Sequence, residues 1–208
     1  MKYVVSLFAL IWIVSYSPSP KGIAIEWTDK LEGDFSFAQE WSYPENVFRN
    51  EFGQLVCDGF CTNEIIRMHN GKGRIPNDSL EKYYQLLDTT HVYHTISCDA
   101  NCYEFAGTDY IEAEKVGKDT VRCYTLCNAG THSSLAFDIV NNNCTPVIEL
   151  NSITPQGEVT FPSTGGYIKI DRKEWERGIL KAQFHFTFQH DDSAMWWEGR
   201  IYTTIKGQ

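Results

Sequence analysis

The stretch ILKAQFHFTFQ, residues 179–189, alternates strictly between apolar and polar side chains. Because successive side chains of a β-strand point to opposite faces, the pattern predicts a strand with one buried face. Shorter alternating runs recur from residue 25 onward, separated by turn-forming residues. The sequence therefore predicts a mainly β fold, either an antiparallel β-sandwich or a partly open barrel, with two short helices.

The residues after this strand predict a hairpin. We expect a turn over 191–194 that pairs Phe188 with Trp197 and Phe184 with Ile201, all four in the core. The same register predicts an outward-facing set, which consists of Gln183, His185, Trp196, Arg200 and Tyr202. Exposed aromatic and arginine side chains often anchor a ligand or partner. This set is therefore the candidate binding surface.

Two segments interrupt the alternation with helical patterns. Thr62 is a suitable N-cap for a helix over 62–69, and residues 78–88 carry an apolar stripe at helical spacing. A further helical turn is suggested over 172–178. We expect these helices to cover one end or one edge of the sheet.

The N-terminal residues have the layout of a secretory signal peptide. Lys2 precedes an apolar run from Val4 to Val14, and small, turn-forming residues follow. The run is too short for a transmembrane helix, which needs about 20 apolar residues. Cleavage can follow Ser17 or Ala24, and we favour Ala24 because Pro18 follows Ser17. We expect a chain without a transmembrane span that is secreted, periplasmic or in the cell envelope.

Removal of residues 1–24 leaves 25–208, which we expect to fold as a single disulfide-containing β domain. This segment carries 16 basic and 27 acidic residues, a formal charge of −11. Such a surface repels phosphate backbones, so nucleic acid is not expected as a partner. No sequence motif points to a cofactor.

The chain has seven cysteines, a number that is high for a cytosolic protein and ordinary for an exported one. Cys57 and Cys61 flank a segment that contains Gly59. A turn there can bring the two thiols together, so we expect them to bond to each other.

The other disulfide candidates lie at equal spacing in two segments with strand patterns. Antiparallel pairing of these segments would join Cys98 to Cys127 and Cys102 to Cys123. Cys144 is then the odd cysteine.

One hypothesis is a metal site at His91, His94, Cys98 and Cys102, which are all zinc-competent residue types. If 91–98 is a strand, His91 and His94 point to opposite faces, and His94 lies about 13 Å from Cys98. We therefore expect disulfides here and no metal.

A hydrolase is the main catalytic alternative. Its loop-built site would draw on Asp99, Asn101, Glu104, His132 and Ser133. The chain lacks a G-x-S-x-G motif, and adjacent residues such as His132 and Ser133 seldom form a catalytic pair.

These observations favour a non-catalytic exported protein, either a binding protein or one associated with the cell envelope. Its aromatic strand face would contact a carbohydrate or a protein. The alternatives are the hydrolase and a purely structural exported protein.

Overall fold

The computed structural model describes residues 22–43, 47–57, 61–105, 107–126, 132–151 and 158–207. The predicted signal peptide lies outside these residues except for its last three positions. Cys127 also lies outside them. Among the described residues, no helix is both long and apolar enough to cross a bilayer.

The described residues form thirteen strands, which are β1 Ile23–Thr28, β2 Trp41–Ser42, β3 Val47–Arg49, β4 Leu55–Cys57, β5 Val92–Tyr93, β6 Ile96–Asn101, β7 Tyr110–Lys115, β8 Thr120–Leu126, β9 His132–Val140, β10 Asn143–Asn151, β11 Glu158–Asp171, β12 Ile179–His190 and β13 Ser193–Lys206. The helices are α1 Asn63–Arg67, α2 Leu80–Leu86 and α3 Arg172–Glu176, and a single 3₁₀ turn covers Ser36–Gln39.

Eight of these strands close into a barrel. Around the ring they follow the order β1, β10, β9, β8, β7, β13, β12, β11, and β11 returns to β1. The strand β6 pairs with β13 beside the ring. The mainly β prediction is confirmed. The described strands form a closed barrel and show no sandwich, so the barrel alternative is the nearer of the two predictions.

The closure depends on long strands that bend and change partners. Strand β13 pairs with β12 from Ser193 to Thr204, while its other edge pairs first with β6 and then with β7. Strand β11 carries an irregularity between Ser163 and Gly165, followed by Gly166 at φ 126°. Such bulges and glycines let a strand curve around a barrel.

The two predicted short helices form, and the structure contains a third. Helix α1 begins where expected, because the Thr62 hydroxyl accepts a hydrogen bond from the Ile65 amide at 3.4 Å. Helix α2 also forms, and α3 makes a third helix at the suggested turn over 172–178. Asp171 caps α3 by accepting bonds from the amides of Lys173 and Glu174.

Two hydrophobic cores form among the described residues. The barrel interior is filled by large side chains, including Phe137, Phe184, Phe186, Phe188 and Trp197. A separate small core lies in residues 47–57 and 61–87, which we call the insert, and it includes Val56, Ile65, Ile75, Tyr83 and Leu87. The Tyr83 hydroxyl accepts a hydrogen bond from the Cys57 amide at 2.8 Å, so the insert has its own internal order.

The C-terminal hairpin has the predicted faces and a different register. Phe186 lies opposite Trp197, and Ala182 lies opposite Ile201, so the predicted Phe188–Trp197 and Phe184–Ile201 pairs are wrong by two positions. The turn contains only Asp191 and Asp192, with Asp191 at φ 50°, where four residues were expected. A shift of two residues keeps every side chain on its face.

The disulfide predictions are partly confirmed. Cys57 and Cys61 form a disulfide with a Cα–Cα distance of 6.1 Å. The Cys102–Cys123 pairing is wrong, because both residues are free thiols. The reason is topological, since β6 pairs with β13 whereas β8 pairs with β7 and β9.

Cys98 and Cys144 are the other two free thiols among the described residues. Cys98 is also a free thiol, and its predicted partner Cys127 lies outside the described residues. Cys144, the expected odd cysteine, is free and buried in the barrel core.

Candidate functional site

Three aromatic rings form a row on the outer face of β11, β12 and β13. Tyr167 lies opposite His185 in the sheet, with ring centroids 6.1 Å apart and ring planes 22° apart. The His185 and Trp196 centroids are 6.4 Å apart, with planes 18° apart. We call Tyr167, His185 and Trp196 the aromatic row. Its nearly parallel rings give the sheet a continuous aromatic surface across three strands.

Charged side chains flank this row. His185 Nδ1 lies 2.9 Å from Glu198 Oε2, which fixes the orientation of the imidazole ring. At the Tyr167 end of the row, Lys169 Nζ lies 6.0 Å from the Tyr167 centroid and 3.2 Å from Glu26 Oε1. The row therefore combines flat rings with fixed polar groups at its middle ring and at its Tyr167 end.

A groove of about 320 Å³ adjoins the row between β6, β12 and β13. Its polar lining residues are Ser97, Asp99, Gln183, Glu198 and Arg200, and Tyr167 forms one wall. Gly199 also lines it. A Cβ at position 199 would lie 2.7 Å from Cys98 Cβ and closer still to Ser97 O, so glycine allows β6 to approach β13 here.

Cys98 also lines the groove, where burial disfavours the thiolate form that acts as a nucleophile. Burial raises the pKa of its thiol to about 11, and the nearby Trp197 indole opposes this rise only in part. Reactive cysteines need a lowered pKa. The groove thus offers hydrogen-bonding groups and an aromatic wall, without an activated thiol.

The structure brings together most of the predicted binding residues. His185 and Trp196 belong to the aromatic row, and Gln183 and Arg200 line the groove. Tyr202 is different, because Phe35 packs against it with ring centroids 6.4 Å apart. A segment before the 3₁₀ turn thus covers this end of the predicted face.

Sequence reasoning missed Tyr167, and it assigned Asp99 to the hydrolase alternative instead of the binding surface. Tyr167 stands in the run Tyr167–Ile168–Lys169–Ile170, in which both isoleucines are completely buried. The alternation therefore contained the signal that Tyr167 faces outward. No sequence pattern showed that β11 would lie beside β12, which is what adds Tyr167 to the row.

His132 and Ser133, the predicted hydrolase pair, do not form a catalytic dyad. His132 and Ser133 are consecutive in β9, so their side chains leave opposite faces of the strand. Ser133 is buried, and its hydroxyl donates a hydrogen bond to the Tyr103 carbonyl. Asn101 donates to the Ala194 carbonyl at 3.3 Å.

The two histidines weighed as metal ligands have other contacts. His94 Nε2 lies 2.8 Å from Ser42 Oγ, and the His91 ring stacks on Trp41 with centroids 3.7 Å apart. Across the described ranges, no three His, Cys, Asp or Glu side chains converge in a geometry that could hold a metal ion.

Comparisons with protein-family models, curated proteins and solved structures give no match to this chain. The function is therefore inferred from the side chains of the aromatic row and the groove.

Proposed function

We propose that the chain is an exported, non-catalytic binding protein, secreted or held in the periplasm or cell envelope, that binds a carbohydrate through the aromatic row and the adjoining groove. The observation that carries the proposal is the row itself, with three nearly parallel rings across adjacent strands. Binding sites use aromatic side chains for contact area and a few polar groups for orientation.

The groove favours a carbohydrate over a protein partner. Carboxylate, carboxamide and guanidinium groups of Asp99, Gln183, Glu198 and Arg200 line it together. Acceptors and donors side by side suit the hydroxyl groups of a sugar, which both donate and accept. The centre of a protein interface, in contrast, is usually depleted of charged residues.

Export is supported by the signal-peptide pattern, and the fold bears on where cleavage would occur. Strand β1 begins at Ile23, which is buried, and Ile23 and Ala24 pair with Cys144 and Asn143. Cleavage after Ser17 would retain this pairing, whereas cleavage after Ala24 would remove part of it. The β1 pairing therefore opposes cleavage after Ala24, while Pro18 opposes cleavage after Ser17, and N-terminal sequencing of the exported chain distinguishes the two positions.

The test is binding of the exported protein to immobilised polysaccharides and to an oligosaccharide array. We expect binding that Trp196→Ala and Tyr167→Ala each weaken at least tenfold. Trp41→Ala is the matched control, because Trp41 is 41% exposed and its ring contacts Tyr43 and His91, which are not part of the row. It should bind as the parent chain does.

Two results would overturn the carbohydrate proposal. One is the absence of binding to every glycan tested. The other is binding that Trp196→Ala leaves intact. If glycans fail and Trp196→Ala instead abolishes a cross-linked protein complex, the face binds a protein.

A further inference from the structure

A second concave site adjoins the C-terminal part of β13 and shares no lining residue with the groove beside the aromatic row. It is a cleft of about 340 Å³ between β5, β7, the end of β8 and the C-terminal part of β13. Its lining residues include Val92, Tyr93, Ile111, Glu112, Leu126 and Lys206. We call this site the β5–β8 cleft.

The walls of the β5–β8 cleft are mainly apolar and partly exposed. Val92, Tyr93 and Leu126 are 36%, 55% and 39% exposed, and all three line it. Ile111 is completely buried and contributes to the same site. Exposed apolar side chains gathered in a concavity, instead of scattered singly, are typical of a ligand site.

One edge of the cleft is polar and ordered. Lys206 Nζ lies 2.7 Å from Glu112 Oε2, and the Tyr124 hydroxyl donates to the same oxygen at 2.8 Å. The Lys206 hydrogen bond lowers the pKa of Glu112, so the carboxylate stays ionised at neutral pH. The lysine ammonium has three donors, and Glu112 accepts one of them.

We propose that the β5–β8 cleft binds a small molecule with an aromatic or short aliphatic ring and one uncharged hydrogen-bond acceptor, which receives a hydrogen bond from Lys206. The volume is near the lower end of the roughly 300–1,000 Å³ range of ligand pockets, which suits a compact ligand. The apolar walls of the cleft would pack against the ring of this ligand.

The charges at the polar edge of the cleft determine whether the cleft favours a charged or an uncharged head group on the ligand. Glu112 and Lys206 neutralise each other, so the edge offers no net attraction for an ion. An anionic head group would be repelled by the nearby Glu112 carboxylate, and a cationic one by the Lys206 ammonium. An uncharged acceptor, such as a carbonyl or hydroxyl oxygen, can receive a hydrogen bond from the remaining donors of Lys206 and is repelled by neither charge.

The test follows the methyl NMR signals of Val92 and Leu126 while small ring compounds are added. The set contains cyclohexanone, phenol and benzamide as uncharged acceptors, benzene without an acceptor, and benzoate and benzylamine as charged analogues. We expect the uncharged acceptors to shift both signals at millimolar concentration and to bind more tightly than the other compounds.

Two variants locate the binding site. Leu126→Arg should weaken binding of the uncharged acceptors at least tenfold, whereas Leu86→Arg, at a leucine of similar exposure in α2, should not. Lys206→Met should weaken the binding of benzamide and leave the binding of benzene unchanged. Trp196→Ala should leave the binding of every compound unchanged, which separates this cleft from the aromatic row.

The proposal fails if no compound shifts the Val92 and Leu126 signals at millimolar concentration. It also fails if Leu126→Arg leaves binding intact, or if benzoate or benzylamine binds more tightly than benzamide. None of these results affects the carbohydrate proposal.

Discussion

Trp196 and Trp197 are neighbours in the chain and lie on opposite faces of β13. Trp197 is completely buried and meets Phe105 edge to face, with ring centroids 5.1 Å apart. Trp196 is half-buried and stacks on His185 on the outer face. Because successive side chains point to opposite faces of a strand, Trp197 contributes to stability and Trp196 belongs to the candidate binding surface.

Truncation of the two tryptophans should have very different effects. Trp197→Ala leaves a large cavity in the barrel core and should lower the free energy of unfolding by about 3–5 kcal/mol. Trp196→Ala removes only surface contacts and should cost far less. Denaturant titration of both variants gives the comparison, and equal losses would show that the face assignment is wrong.

Gly199→Ala should weaken the attachment of β6 to β13. The added methyl group would lie 2.7 Å from Cys98 Cβ and closer to the Ser97 carbonyl, so the strands must separate. We expect reduced thermal stability and faster amide exchange in residues 96–101. Gly71→Ala is the control, because a Cβ there meets nothing within 4 Å, and it should leave both properties unchanged. Unchanged exchange in Gly199→Ala would contradict the observed packing.

The sequence could predict faces but not the register or the closure. The alternation from Leu180 to Phe188 identified the buried side, and all its apolar members are buried. The register depended on the length of the turn at Asp191, which the alternation does not encode, because a two-residue shift preserves it. Closure depended on β1 and β11 pairing across most of the chain, which has no local sequence signal.

The same limit applies to the candidate site. Trp196 and His185 belong to one hairpin, so local pairing was enough to predict that they share a face. Tyr167 joins them only through the β11–β12 pairing, and Phe35 covers Tyr202 from a segment more than 160 residues away in the chain. Long-range contacts of this kind depend on the whole fold.

Asp171→Asn should destabilise the fold. One carboxylate oxygen accepts from the Leu31 amide at 2.9 Å, and the other caps α3. An amide side chain keeps a single acceptor oxygen, so one of these contacts is lost at a cost of about 1–3 kcal/mol. Denaturant titration at neutral pH measures the loss. Asp119→Asn, at an exposed position, should have no effect.

The loss should also depend on pH. Burial by itself raises the pKa of Asp171, but the backbone hydrogen bonds and Lys181 outweigh it, so the pKa is lowered. A carboxylate with a lowered native pKa stabilises the fold above its unfolded value, about 3.9, and this contribution is lost as the pH falls through the native value. The difference between the parent chain and Asp171→Asn should therefore shrink below about pH 4. A constant difference would contradict the lowered pKa.

The thiols should react in an order set by burial. Cys102 is half-buried, and burial raises its pKa, while burial raises that of Cys98 to about 11. Cys123 and Cys144 lie in the barrel core, where burial raises the pKa of each thiol strongly. Since the thiolate is the reacting form, a pKa of about 11 leaves roughly one Cys98 in a thousand reactive at pH 8. We expect alkylation of Cys102 first, then Cys98, and of the two core thiols only on unfolding.

Timed alkylation with iodoacetamide, followed by peptide mass mapping, measures this order. The unreduced, denatured chain should show Cys57 and Cys61 protected and the four thiols modified. Reduction should lower the stability of the insert by about 2 kcal/mol, because the bridge closes a short loop. A Cys57→Ser, Cys61→Ser double variant gives the reference for this loss. Protection of Cys102 and Cys123 in the unreduced, denatured chain would show that these two residues form a disulfide. This result would contradict the observed strand order, because it would require β6 and β8 to lie side by side.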